Sequence, residues 1–269
     1  LVGELVGYNK LIDRDYPKYN FPSKKNVANA NKKFMDEYHK FVDYQMSQGM
    51  EMEKFEVGAL NQIKMLNNPK KYRRNFEIRN LAANGQAWTG KGTKAEKQYK
   101  GDPTLFDENV NSCAIRITYG DFRYFNGGDL SGGAKKDLYK SMERDMETPV
   151  AKVCGKVDVA KANHHGYYDT CNGFFLNTVS PDVMIIDARS QNHPVPPTMS
   201  RMVDHMVWPG KGEFYITVDQ PRKKLGEELW SHFKPWGHIV VRVYEGGKKY
   251  QVFVLDADST DYPIIYRSD

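Results

Sequence analysis

Cysteine is scarce in this 269-residue sequence, and its three copies lie far apart. Cys113, Cys154 and Cys171 form no C-x-x-C pair, which argues against a zinc knuckle and against a thioredoxin-type redox motif. Cys113 is expected to sit in a strand as a small buried residue. Spacing alone leaves open a disulfide between Cys154 and Cys171, so cysteine usage does not decide the cellular compartment.

Long apolar runs are absent as well. No stretch reaches the length of a membrane-spanning helix, and no signal peptide is recognisable. A strong excess of one charge is also missing, because 39 Lys and Arg face 34 Asp and Glu, which leaves a formal net charge of +5. This balance is compatible with an anionic substrate, but it does not by itself indicate nucleic acid.

Strand and helix patterns are mixed along the chain, which predicts an α/β protein with helices packed outside its sheets. Strands are predicted at residues 55–66, 76–81, 114–119, 122–125, 157–160, 183–186, 213–218, 238–244 and 249–255. Helices are predicted at residues 28–47, 134–146, 174–179 and 199–206. The length suits one large domain or two small ones.

Two adjacent histidines, His164 and His165, follow a short apolar run that is typical of a buried strand. Gly166 comes next and allows the backbone to turn tightly. Imidazole is the commonest protein ligand for zinc, and it titrates nearest to neutral pH. For the dipeptide alone, two surface histidines in a turn are the simpler interpretation.

A carboxylate stands at the end of another predicted strand. Residues 114–125 form a hairpin pattern around Gly120-Asp121, and the second strand leads into Gly127-Gly128-Asp129. We predict that Asp129 and His165 lie at adjoining strand ends, close enough to share a metal or a water chain. The alternative for Asp129 is a capping aspartate in a turn.

Five short motifs now stand in a fixed order along the chain. They are Asn109 with Ser112, Gly128-Asp129, the run from Asp158 to Gly166, Ser180-Pro181-Asp182, and Gln191-Asn192-His193-Pro194. Over about residues 75–218 this order resembles the C-terminal half of metallo-β-lactamase-fold hydrolases of the DNA-uptake competence (ComEC-type) branch. The resemblance implies a single domain over residues 1–269, with the αββα sandwich of that family.

The resemblance also implies a function. The implied function is metal-dependent hydrolysis of phosphodiester or related anionic ester bonds. Two divalent metals are implied, most simply zinc, and manganese or iron are the alternatives. Asp129 matches the carboxylate that bridges the metals, and His165 matches the late metal ligand. His164 would then orient the substrate or stabilise the leaving group, although the roles of the two histidines are interchangeable. His193 matches a further ligand or a substrate contact.

One family motif, H-x-H-x-D-H, is absent from the sequence. We therefore expect a piece of a longer protein, whose N-terminal segment is a partner that completes the metal site. A degenerate homologue, acting as a non-catalytic binding or structural domain, is the alternative. A truncated start would also remove a signal peptide, so a secreted or periplasmic location is slightly favoured over a cytoplasmic one.

A basic cluster offers a third, weaker hypothesis. Lys70, Lys71, Arg73 and Arg74 follow a turn at Asn67-Asn68, and cations of this kind contact phosphates in nucleic acid binders. An exposed loop is the simpler interpretation of this cluster.

Overall fold

The structure is a computed structural model that describes residues 6–22, 32–99, 108–133, 144–210 and 212–269. Its strands are β1 (Lys10–Asp13), β2 (Glu51–Lys54), β3 (Phe76–Ala83), β4 (Gln86–Trp88), β5 (Ala95–Lys97), β6 (Ala114–Tyr119), β7 (Phe122–Asn126), β8 (Val159–Lys161), β9 (Val183–Ile186), β10 (Glu213–Ile216), β11 (His238–Val243), β12 (Tyr250–Leu255) and β13 (Ile264–Arg267). Its helices are α1 (Lys32–Ser47), α2 (Pro69–Tyr72), α3 (Glu147–Cys154), α4 (Gly173–Val179), α5 (Pro196–Val203) and α6 (Arg222–Trp230).

An eight-stranded mixed sheet with the order β10-β9-β8-β7-β6-β3-β4-β5 organises the fold. Strands β7, β8, β9 and β10 run parallel, whereas the pairs from β7 through β6 and β3 to β5 are antiparallel. The carboxyl ends of the four parallel strands therefore meet at one edge of the sheet, where open α/β sheets usually bind their ligands.

The two faces of this sheet are covered differently. Helices α3 to α6 pack on one face, where Ala160 and Met184 are fully buried with them. The three-stranded sheet β11-β12-β13 covers the other face and packs Val252 and Val254 against Val159. Neighbouring residues of a strand point to opposite faces of the sheet. Because both faces are covered here, consecutive residues of the central strands are buried and therefore apolar.

Most of the predicted elements are confirmed as strands or helices near the expected residues. Agreement is closest for the hairpin β6–β7, for β3, β9 and α4, and for the hairpin β11–β12. The mixed α/β class is therefore confirmed. No helix in the described part of the chain combines the length and apolar character that crossing a bilayer requires. The three cysteines are free, and burial raises the pKa of the Cys154 and Cys171 thiols to about 12.

Two of the predicted elements need correction. The strand predicted at residues 55–66 is wrong, because this segment is irregular and pairs with β3 through an isolated bridge between Leu60 and Arg79 and a few backbone hydrogen bonds around it. The residues that alternate with Phe55 do not form a buried face, since Phe55 is buried whereas Val57, Ala59, Ile63 and Met65 are partly exposed. Most of the helix predicted at residues 134–146 lies outside the described residues, and α3 begins at Glu147.

Two glycine-containing turns hold the two sheets together. The turn of hairpin β6–β7 touches the turn of hairpin β11–β12, where Asp121 N donates to Gly246 O at 3.3 Å. Gly247 has φ +71°, and a Cβ atom there would lie 1.8 Å from the backbone oxygen of Tyr119. This close approach requires glycine.

We expect Gly247→Ala to lower the free energy of unfolding by about 3–5 kcal/mol, because left-handed strain adds to a backbone clash. Gly246→Ala is the matched control, since Gly246 has a similar φ of +77° but nothing within 4 Å of its added Cβ. The control should cost about 1–2 kcal/mol. Urea unfolding of both variants measures the difference, and equal losses would show that the two turns do not pack this closely.

Candidate functional site

Charged side chains gather where the parallel strands β7, β8 and β9 end. Asp129 follows β7 by three residues, Lys161 is the last residue of β8, and Asp187 comes directly after β9. The short turn after β8 carries His164 and His165. Residues far apart in the chain thus meet at the sheet edge because the parallel register brings these strand ends together.

His165 lies between two carboxylates. Its Nε2 atom is 3.3 Å from Asp129 Oδ1, and its Nδ1 atom is 2.9 Å from Asp187 Oδ1 and 3.0 Å from the Asp187 backbone oxygen. The expected proximity of Asp129 and His165 is therefore confirmed. Burial alone would raise the pKa of Asp187, but the hydrogen bond from His165 and the charge of Lys161 lower it below its ordinary value.

The partners of His165 also determine its tautomer. A backbone carbonyl oxygen can only accept, so Nδ1 carries a proton and donates it to Asp187. In the neutral ring Nε2 is then a lone-pair acceptor, and it faces an oxygen of Asp129 that is also an acceptor. Two acceptors at 3.3 Å repel each other unless a positive charge lies between them. That charge is either a proton, carried by His165 or shared with the Asp129 carboxyl group, or a cation.

Lys161 supplies a fixed cation beside this pair. Its side chain is nearly buried, and Nζ donates to the backbone oxygens of Gly128 and Ala162, both at 2.9 Å. The same ammonium lies 3.4 Å from Asp187 Oδ1 and 3.8 Å from Asp129 Oδ1. It therefore ties the loop after β7 to the end of β8 and offsets part of the negative charge of the two carboxylates.

His164 has different partners. Nδ1 is 3.1 Å from Oδ1 of the buried Asp169, and Nε2 is 3.2 Å from the amide nitrogen of Asn109. Because an amide nitrogen can only donate, Nε2 accepts, and the ring proton sits on Nδ1 toward Asp169. Both ring nitrogens of His164 are thus engaged, whereas Nε2 of His165 faces a carboxylate. This difference makes Nε2 of His165, rather than that of His164, the candidate donor to a metal.

His193 joins the same cluster from the loop before α5. Its ring centroid lies 5.5 Å from that of His165, 5.7 Å from that of His164 and 5.1 Å from that of Tyr167. Burial, with the nearby charges of His165 and His164, lowers the pKa of His193. A neutral imidazole is the form that binds a metal or accepts a proton from a substrate.

The backbone of the histidine turn is strained. His164 and His165 have φ values of +43° and +54°, in the left-handed region that side chains with a Cβ rarely adopt. Each such residue costs about 1–3 kcal/mol, which the surrounding structure must supply. His164 N donates to Gly128 O at 3.1 Å, and Tyr167 N closes the turn onto His164 O at 2.9 Å. Strain of this kind is concentrated at functional sites.

A buried carboxyl group stabilises the histidine turn from its buried side. Glu147 is fully buried and accepts hydrogen bonds from Asn163 Nδ2 at 2.8 Å and from Cys171 N at 2.7 Å. Burial raises the pKa of Glu147 to about 8. A Cβ atom at Gly127 would lie 2.2 Å from Asn163 Oδ1, which explains the first glycine of the Gly-Gly-Asp motif.

The Asn109 and Ser112 motif also reaches the site. The Ser112 hydroxyl accepts from Asp129 N at 3.1 Å, and Asn109 contacts His164. Sequence reasoning identified Asp129, His164, His165 and His193, and the structure brings them all to one place. It missed the contributions of Lys161, Asp169 and Asp187. Two of them could have been found from the sequence, because Lys161 and Asp187 are charged residues at the carboxyl end of a buried strand.

The donor set fits one metal in part. Donors bound to a single tetrahedral zinc at about 2.0–2.2 Å lie roughly 3.3–3.5 Å apart, and His165 Nε2 and Asp129 Oδ1 are 3.3 Å apart. The imidazole also has the carboxylate partner on its second nitrogen that metal-binding histidines usually have. However, the described residues contain no group of three or more His, Cys, Asp or Glu side chains arranged to hold a metal ion.

Comparison with known proteins gives no independent indication. No model of a protein family matches the chain, and no curated protein is detectably similar to it. The functional argument therefore depends on the geometry of the site and on the motifs in the sequence.

Proposed function

We propose that this chain carries half of the active site of a metal-dependent hydrolase that cleaves phosphodiester or related anionic ester bonds. The observation that carries the proposal is the opposition of His165 Nε2 and Asp129 Oδ1, two acceptors at the spacing of two ligands of one cation. The proposed architecture is the αββα sandwich of the metallo-β-lactamase superfamily. Three layers of this chain are compatible with part of such a sandwich: the helices α3 to α6, the central sheet, and the three-stranded sheet on its other face.

In this proposal His165 and Asp129 would hold a divalent metal, most simply zinc. When bound, the metal would supply Lewis-acid activation of water and of the ester oxygen. Asp187 orients the His165 ring through Nδ1, and Ser112 fixes the backbone of Asp129. These supporting contacts hold the donor atoms before any ligand arrives, which reduces the cost of binding.

His164 and Lys161 act on the substrate. Lys161 offsets the negative charge that an anionic ester brings to the two carboxylates. His164 Nε2 is the atom that would exchange a proton with the leaving group once the substrate displaces Asn109 from it, while Asp169 holds the proton on Nδ1 and stabilises the charged ring. His193 extends the same surface and contacts the substrate from the loop before α5.

The proposed metal site needs further ligands. A catalytic zinc normally has three protein ligands, and Asp129 with His165 supplies two. A two-metal site, in which Asp129 would bridge the ions, needs still more. We therefore propose that a companion segment, continuous with this chain or bound to it, supplies the remaining ligands.

A non-catalytic domain is the second candidate, and one observation favours it. If His165 carries a second proton, the charges of Asp129 and Asp187 are balanced by those of His165 and Lys161 without any metal. The cluster would then be a structural ion-pair network in a binding or scaffold protein.

Hydrolysis of bis(p-nitrophenyl) phosphate by the chain together with its companion segment tests the proposal. We expect turnover that is abolished by a chelator, restored by zinc or manganese, and lost in His165→Ala. His205→Ala is the matched control, because His205 is an exposed histidine outside the cluster. Activity that survives chelation would contradict the metal, and a complex that binds no metal and has no activity would favour the structural network.

A further inference from the structure

A separate cleft lies at the opposite end of the central sheet from the histidine cluster. A cleft of about 550 Å³ opens beside the first residue of β3, and Met65, Leu66, Tyr72 and Phe76 provide much of its wall. This volume lies within the range of about 300–1,000 Å³ that is usual for small-molecule sites. Leu66 is 82% exposed, although burying a leucine side chain is worth about 1.5–3 kcal/mol.

The rim of this cleft is cationic. Lys64, Lys70 and Arg73 line it, and Lys71 and Arg74 stand next to it. The sequence from residue 57 to residue 76 contains five Lys and Arg and no Asp or Glu. The one ion pair that the described residues make with these five cations joins Lys71 to Glu245 at 3.9 Å, between two exposed side chains. Cations of this kind attract anions and are available to bind one.

The cleft is separate from the histidine cluster. Phe76 pairs with Tyr119 at the carboxyl end of β6, whereas Ala114, at the other end of β6, lies toward the cluster. Six residues of an antiparallel strand span about 17–20 Å. A ligand in the cleft therefore does not touch the groups of the proposed reaction.

We propose that this cleft binds an amphiphilic anion, a small molecule with a single anionic head and an aliphatic body. The body would cover Leu66 and the rings of Tyr72 and Phe76, and the head would pair with Lys70 and Arg73 at the rim. One occupant then explains both the exposed apolar wall and the two rim cations, Lys70 and Arg73, that have no ion pair with another described residue. A planar membrane surface fits less well, because the apolar residues line a concave cleft.

Calorimetric titration of the 269-residue chain with decyl phosphate, below its critical micelle concentration, tests this proposal. We expect saturable binding of one ligand per chain, with little heat from inorganic phosphate or from decyltrimethylammonium, which lack the body and the negative head respectively. Lys70→Glu should weaken binding about 10-fold or more, because it reverses a charge at the rim. Leu66→Ser should weaken it to a similar extent by removing apolar contact.

Lys223→Glu is the matched control, since it makes the same charge change at an exposed residue of α6 and should leave the affinity unchanged. Equal binding of the cationic amphiphile, or full affinity in Lys70→Glu, would overturn the proposal. So would sedimentation with phosphatidylglycerol vesicles without binding of monomeric decyl phosphate, because it would assign the surface to a membrane. Thermal unfolding of each variant confirms that the fold is retained.

Discussion

His164→Ala is expected to lower turnover by about 10²–10⁴-fold, the usual contribution of a positioned acid–base group, while the metal content stays near that of the unchanged protein. His165→Ala is expected to lose both metal and activity. The difference follows from their partners, since Nε2 of His165 faces Asp129 and Nε2 of His164 faces Asn109. Turnover and metal content, measured on the same samples of the chain with its proposed companion segment, separate the two proposed roles.

The reverse result would exchange the two assignments. If His164→Ala loses metal and His165→Ala keeps it, the Asn109 contact breaks on metal binding and His164 is the ligand. Asn109→Ala is a useful companion variant, because it frees Nε2 of His164 without removing the ring. It should change turnover and its dependence on pH, but not the metal content.

Zinc is expected to bind weakly to the 269-residue chain alone, and the chain alone is expected to be catalytically inert. If the roughly 10–16 kcal/mol of a four-ligand zinc site is shared among its ligands, each contributes about 3 kcal/mol, or about 10²-fold in affinity. A site with two protein donors should therefore bind at least about 10²-fold more weakly than a complete catalytic site with three.

Titration of the chain with zinc, monitored by calorimetry or by competition with a chelator, measures this affinity. Asp129→Asn is the matched variant, since the amide keeps the shape of the side chain and removes its charge. It should weaken the residual binding further. Tight binding of two metals with phosphodiesterase activity, and with no second polypeptide present, would contradict the proposed need for a companion segment.

Much of the site could be predicted because its donors follow strand patterns that are local in the sequence. The hairpin ending in Gly-Gly-Asp and the apolar run before the two histidines each mark a strand end, and the parallel strands place both ends at one edge. The strand predicted at residues 55–66 failed for the opposite reason. Most of its apolar residues alternate as in a strand, but contacts with β3 decide its path, and Leu60 forms an isolated bridge to Arg79 instead of a ladder.

By itself, the sequence determined the mixed α/β class. It also determined that a carboxylate and an imidazole follow strands whose ends lie close together. Only the tertiary structure decided which partner each imidazole has. Asp187 is 22 residues from His165, and Asn109 is 55 residues from His164. Hydrophobic periodicity specifies the face on which a side chain lies, but the register between strands β7, β8 and β9 determines which polar atoms come within hydrogen-bond distance. That register is a property of the packed sheet. The tautomer of each histidine and the distinct roles proposed for the two therefore depend on the packed sheet as well.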